Sequence, residues 1–123
     1  MKEEPLSELV VTKSLALNWD KAGAIIGISG KYIGAIFRIK PNQKIVIGRD
    51  YGQVDFLLED ADVSRKHCWI EYDASNERYL FCDTSKNGVL VNGKKMRGDK
   101  QIRYLKPGDE IQIAKTRHVF KLG

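Results

Sequence analysis

From residue 24 onward, apolar positions come in short runs of two to six residues, broken by Gly, Pro, Asn and Asp. Several runs alternate with period two, as in a strand, where successive side chains point to opposite faces. The first predicted strand is 24–28, closed by a turn at Ser29-Gly30-Lys31. In 35–40, Ile36, Arg38 and Lys40 alternate with Phe37 and Ile39 until Pro41-Asn42-Gln43 ends the run. Residues 44–47 are short and β-branched, and Gly48 closes them. Runs at 56–58, 67–72, 78–83, 89–91, 94–96, 110–113 and 118–122 follow, with a turn at Lys106-Pro107-Gly108-Asp109. Asn92-Gly93 between two such runs is a strong hairpin signal, because a type I′ turn needs two positive φ angles. No segment after residue 22 sustains a helical period. Short strands separated by turn residues predict an all-β sandwich or barrel.

One register follows from the spacing. If Asp73-Ala74-Ser75-Asn76-Glu77 is a five-residue hairpin loop, Tyr72 pairs with Arg78 and Cys68 stands opposite Cys82. Directly opposed Cβ atoms lie about 4.5–5.5 Å apart, so the thiols would be neighbours.

Residues 1–22 read differently. They hold Pro5 and mixed charge without a sustained period of two. They are expected to be a tail or linker, with the folded domain at 23–123. Thr12 in that tail is a candidate for phosphorylation and for binding to its own domain or to a neighbour's.

Length and composition fit one ordinary soluble domain: 123 residues, 42% apolar and 30% charged. The net charge of +5 favours an anionic partner, whether nucleic acid, an acidic membrane surface or a phosphorylated protein. The start of the chain, Met1-Lys2-Glu3-Glu4-Pro5, has acids where a secretory leader carries a basic region, so a cytoplasmic location is expected. The two cysteines are then reduced thiols.

Several enzyme-like features dissolve on inspection. Gly30-Lys31 lacks the first glycine of a P-loop, because position 25 is Ile, and Tyr32 replaces the metal-binding hydroxyl. It reads as a tight turn. His67 and Cys68 are adjacent in a strand and point to opposite faces, so they cannot share a metal ion. His118 stands alone, and Glu59, Asp60 and Asp62 read as a solvated acidic cluster. The chain is not expected to be an enzyme or to carry a metal or cofactor.

Three fragments at predicted loops carry more specific chemistry. Gly48-Arg49 puts a close-approach residue before a guanidinium whose fork matches phosphate oxygens. Ser64-Arg65-Lys66-His67 offers a hydroxyl and cations, with His67 suited to tie one loop's backbone to another. Asp83-Thr84-Ser85-Lys86-Asn87-Gly88 is rich in residues that shape turns by bonding nearby backbone. Asn87 there has both the donor and the acceptor that an extended peptide's backbone requires.

Taken in order, Gly48-Arg49, Ser64…His67, Asn87-Gly88 and Asn92-Gly93 resemble the forkhead-associated (FHA) domain from about Ala24 to Leu122. The resemblance implies a β-sandwich of about eleven strands that binds phosphothreonine peptides through loops at one end. It implies phosphopeptide contacts from Arg49, Ser64, Arg65, Ser85, Lys86 and Asn87, with Gly48, His67 and Gly88 holding the loops. The implied role is an adaptor in kinase-dependent signalling or assembly. Its partner would be a phosphothreonine protein, a substrate of a Ser/Thr kinase, with the domain a monomer and neither nucleic acid nor membrane involved. Asp62 lies in the loop that helps choose ligand residues, which points to a basic or neutral residue there. Val89 stands where many members carry threonine, so the alternative is a docking sandwich with a vestigial phosphate site.

Overall fold

The computed structural model describes residues 22–96 and 100–123. The tail assigned to residues 1–22, Thr12 included, lies outside the described residues except for Ala22.

The strands are β1 (Gly23–Ser29), β2 (Ile36–Ile39), β3 (Ile45–Gly48), β4 (Phe56–Leu57), β5 (Cys68–Asp73), β6 (Arg78–Asp83), β7 (Val89–Val91), β8 (Lys94–Met96), β9 (Ile102–Leu105), β10 (Glu110–Ile113) and β11 (Val119–Leu122). They form a six-stranded sheet in the order β2-β1-β11-β10-β7-β8 and a five-stranded sheet in the order β4-β3-β5-β6-β9. Pairing is antiparallel except between β3 and β4. The all-β sandwich expected from the turn spacing is the observed fold.

The core lies between the sheets. Ile45, Ile47, Ile70 and Phe81 face inward from one sheet, and Ile25, Ile111, Ile113, Phe120 and Leu122 from the other. The alternation in β5, with Cys68, Ile70 and Tyr72 buried and the residues between them only partly so, shows how period two assigns the faces. An aromatic group caps one part of this core, with Phe56 edge-on to Tyr32 at 4.9 Å and to Phe37 at 5.3 Å.

Two expectations need correction. The β5–β6 register is one residue from the predicted one: Asp73 pairs with Arg78, Trp69 with Cys82, and Cys68 with Asp83. Glu77 takes a left-handed φ of 51°, and the connecting loop holds four residues instead of five. Cys68 therefore faces the core while Cys82 lies on the sheet's other face, both buried and neither in a disulfide. The second correction is β9, which the periodicity did not single out, because Arg103 interrupts the apolar pattern of an edge strand.

Asn92 (φ 51°) and Gly93 (φ 81°) adopt the two positive angles predicted for the β7–β8 hairpin. Strand directions bring the β1–β2, β4–β5, β6–β7 and β10–β11 connections, together with the chain leaving β3, to one end of the sandwich.

Candidate functional site

Gly48 ends β3 where two loops pass almost in contact. A Cβ there would sit 2.1 Å from the Arg65 carbonyl oxygen and 3.0 Å from the His67 nitrogen. Close approach, and not a positive φ, is what requires glycine here. It allows Arg49 N–H to donate to the carbonyls of Ser64 (3.0 Å) and Arg65 (3.1 Å), and Asp50 N–H to donate to Arg65 O (3.2 Å). The strand-end loop after β3 is thus zipped to the β4–β5 loop. The Arg49 side chain is exposed, and its Nε donates to Val63 O at 2.8 Å. That bond anchors the guanidinium and leaves its terminal amino groups unpartnered among the described residues.

His67 ties the β4–β5 loop to the β6–β7 loop from below. It is fully buried. Its Nδ1 accepts the Ser64 N–H (3.0 Å), so the ring proton sits on Nε2 and is donated to Gly88 O (2.8 Å). Burial holds the imidazole below its ordinary pKa of 6.5, against smaller upward effects of the Gly88 bond and the Asp83 charge. The Gly88 carbonyl also accepts Ala114 N–H (3.0 Å), which draws the β10–β11 turn into the same cluster. Gly88 itself has a φ of 83°, a left-handed value that favours glycine.

The β6–β7 loop is shaped mainly by its own side chains. Asp83 Oδ1 accepts from Ser85 N–H (2.9 Å) and from the Ser85 hydroxyl. The same hydroxyl oxygen accepts Gly88 N–H (2.8 Å). Ser85 is therefore committed within its loop as both donor and acceptor. Thr84 Oγ1 donates to Lys66 O at 2.7 Å, a second cross-loop tie that sequence reading missed. Lys86 N–H donates to Ser64 Oγ (3.0 Å), and Asn87 Nδ2 donates to Asp62 O (2.9 Å). Because Ser64 Oγ only accepts here, its proton is free for an outward donation among the described residues.

Arg49, Ser64, Arg65, Lys86 and Asn87 thus occupy one continuous hydrogen-bonded rim. The side chains of Arg65, Lys86 and Asn87 are exposed there, and Ser64 is half-buried. A guanidinium, a hydroxyl proton and nearby cations suit a phosphate dianion, whose charge-assisted bonds are about twice as strong as neutral ones. An amide beside them suits an extended main chain.

The sequence reading of His118 as solitary is overturned. His118 Nε2 donates to the Asp60 carboxylate at 2.5 Å, and its Nδ1 accepts Lys31 N–H at 3.1 Å. This buried ring joins the β1–β2 turn, the β4–β5 loop and the start of β11. Gly30, at φ 89°, leaves room for it: a Cβ there would meet His118 Nδ1 at 2.4 Å. Partners 58 residues apart give no local signal. The turn at Gly30-Lys31 opens no helix, which fits its reading as a tight turn.

Residues 45–114 match the family model of the FHA domain. The chain is similar to the oxoglutarate dehydrogenase inhibitor of Corynebacterium jeikeium, 41% identical over 70 residues, covering 56% of this chain and 44% of that protein. This chain therefore spans less than half the length of that curated relative. Among solved structures it resembles the FHA domain of the CT664 protein from Chlamydia trachomatis, at 25% identity and a TM-score of 0.68, with 82% of this chain and 95% of that chain covered. The fold is shared with the N-terminal FHA domain of Rad53p from S. cerevisiae, solved in complex with a phosphothreonine peptide, at 20% identity and a TM-score of 0.67, covering 82% of this chain and 91% of that one.

Proposed function

The chain belongs to the FHA domain family, a family of phosphothreonine-binding modules, and from that premise we propose that it reads phosphothreonine in a partner protein through Arg49, Ser64, Arg65, Lys86 and Asn87. The observation that carries this reading is the joining of Arg49 to Ser64 and of Ser64 to Lys86 by hydrogen bonds across three loops. These bonds pre-set the rim before a ligand arrives, which lowers the ordering cost of binding. Arg49 and Arg65 neutralise the phosphate, Ser64 donates its hydroxyl proton, and Lys86 adds a point charge. Asn87 exchanges its bond to Asp62 O for one to the ligand backbone.

The module acts as a monomer in the cytoplasm, in kinase-dependent signalling or assembly. Its similarity to proteins named as inhibitors of a dehydrogenase favours an enzyme as the phosphorylated partner. Affinity for a short peptide is on the order of micromolar, about −8 kcal/mol.

The deciding experiment titrates degenerate phosphothreonine and threonine peptide pools into the intact chain and its Arg49→Ala variant. Loss of charge-assisted bonds worth about 1.5–3 kcal/mol each weakens phosphopeptide binding at least tenfold. The circular dichroism spectrum stays native. Retained affinity in Arg49→Ala contradicts the reading. A second reading, a docking sandwich with a vestigial phosphate site, is favoured by the inward commitment of the Ser85 hydroxyl. Equal binding of both pools to the unmutated chain selects it.

A further inference from the structure

On one flank of the sandwich the six-stranded sheet ends at β2 and the five-stranded sheet at β4, and Phe37 of β2 meets Phe56 of β4 with ring centroids 5.3 Å apart. The β4 edge is closed. Leu57 N–H donates to the Tyr32 hydroxyl oxygen (3.0 Å), and Leu57 O accepts from that hydroxyl (3.2 Å) and from Lys31 Nζ (3.0 Å). The β2 edge is open. Ala24 O accepts Gly123 N–H, so Ala24 and Ile26 bond toward β11, whereas Gly27 N–H donates to Ala35 O, so Gly23, Ile25 and Gly27 bond toward β2. Phe37 and Ile39, opposite Ile25 and Gly23, are therefore the β2 residues that bond β1. The N–H and C=O groups of Ile36 and Arg38 point away from the sheet and have no partner among the described residues.

The side chains along this edge are equally open. Ile39 is buried and Phe37 packs on the core aromatics, so Ile36 and Arg38 share the outer face. Ile36 is 64% exposed, beside its half-buried register partner Ile26. Arg38 is exposed, and its guanidinium pairs with no carboxylate among the described residues. An apolar edge with unpaired backbone groups is a template for one more strand. Position links it to the rim. Lys31, in the turn that leads into β2, donates its N–H to His118, whose ring holds Asp60, two residues before the Asp62 whose carbonyl Asn87 binds. The start of β2 thus adjoins the Asp62 side of the rim, and the strand runs away from it.

We infer that the free edge of β2 takes an extended segment of the phosphothreonine partner as a seventh strand of this sheet, with an aliphatic residue beside Ile36 and a carboxylate beside Arg38. The added strand satisfies the backbone groups of Ile36 and Arg38. Because those two side chains share a face, the aliphatic and acidic residues of the segment stand two apart, and each forms a cross-strand pair. The inference rests on the phosphothreonine reading of the rim and extends it along the flank of the sandwich.

The test uses the full chain and degenerate phosphothreonine pools that carry a strand segment at either end, joined through a flexible Gly/Ser spacer. The segments are Thr-Val-Thr-Glu-Thr, its reverse, the same two N-methylated at every residue, and Gly-Ser-Gly-Ser-Gly as the control. Fluorescence anisotropy gives the affinities. Tethered backbone hydrogen bonds make a plain strand pool bind roughly tenfold tighter than the control pool. Amide exchange followed by NMR slows at Ile36 and Arg38 by about tenfold or more when that pool is bound. N-methylation of the segment brings the affinity ratio to about one. So does Arg38→Pro, checked for an unchanged melting temperature, because an edge strand tolerates proline where its N–H faces solvent. If Arg38→Pro does not fold, the N-methylated pools decide alone. Equal affinities for the plain strand and control pools overturn the inference, as does a ratio that survives N-methylation. Slow exchange at Ile36 and Arg38 before any peptide is added also overturns it, since the edge is then taken by residues 1–21 or by a second copy. In each case phosphate-dependent binding of the control pool leaves the rim reading intact. If phosphorylation makes no difference to any pool, both readings fall.

Discussion

Both nitrogens of the His67 ring are already committed, Nδ1 to the Ser64 N–H and Nε2–H to the Gly88 carbonyl. A proton added at Nδ1 would displace the Ser64 donor and place a charge where burial penalises it. The sign of the pH dependence follows. The folded pKa lies below 6.5 while the unfolded chain titrates near 6.5, so around and below that pH the unfolded state binds more protons. The stabilising contribution is complete above about pH 6.5 and is lost as pH falls from there through the lowered folded value. Imidazole NMR should give His67 a midpoint below 6.5, and its urea-unfolding contribution, compared with a His67→Gln variant, should shrink between about pH 7 and 5. A native midpoint at or above 6.5 contradicts the assigned tautomer and burial. What was legible at this scale were residues whose type is dictated locally: Gly48 by close approach, and His67 by its capacity to bridge loops. The commitment of Ser85 and the His118–Asp60 pair were not legible, since each depends on which atoms the tertiary fold brings together.

At the scale of elements, the β5–β6 hairpin shows why a strand pattern does not fix its register. The run boundaries at 78–83 were readable, yet the loop closes with Glu77 in the left-handed region at φ 51°. That conformation shortens the loop to 74–77 and slides every pair by one residue. Asn76 Nδ2 and Arg78 Nε both donate to the Asp73 carboxylate, at 2.8 Å and 3.3 Å, and lock the new register. The consequence reaches Cys68 and Cys82, which fall on opposite faces of the sheet instead of side by side. Glu77 is exposed and keeps its conformation against its own Cβ. Glu77→Gly removes that strain and raises stability by about 0.5–1 kcal/mol, net of the extra backbone entropy glycine gives the unfolded chain. Urea unfolding reads the change directly. A destabilised Glu77→Gly variant would show that the Glu77 side chain contributes more than its backbone costs. Edge strands were harder to read than central ones: β9 is short and carries Arg103 between Ile102 and Tyr104, with both apolar side chains exposed. Charge at an edge protects against unwanted pairing and at the same time blurs the periodicity.

Across the whole molecule, the candidate rim and the closure of the sheets sit at opposite ends. The rim loops gather where β3 and β6 finish, whereas Tyr79, near the start of β6, closes the far end by joining the two sheets. Its hydroxyl oxygen accepts Ala24 N–H at 2.8 Å, and its proton goes to Gly123 O at 2.5 Å, with Ala24 O also within 3.3 Å. The ring stacks at a tilt on Tyr72, 4.9 Å between centroids, and is fully buried. Tyr79→Phe keeps the ring but orphans a buried backbone N–H, which costs about 1–3 kcal/mol. Chemical unfolding should show that loss. The affinity for a phosphothreonine pool, measured well below the melting temperature, should stay within about twofold, because none of the rim's hydrogen bonds passes through β1 or the C-terminal residue. Arg49→Ala should do the reverse, removing binding with little loss of stability, since its exposed side chain gives up only the Nε bond to Val63. The pair of variants separates a scaffold from the site mounted on it. If Tyr79→Phe weakened binding tenfold in a fully folded sample, the two ends would be energetically coupled, and the rim would owe its geometry to sheet closure as well as to its own cross-loop bonds.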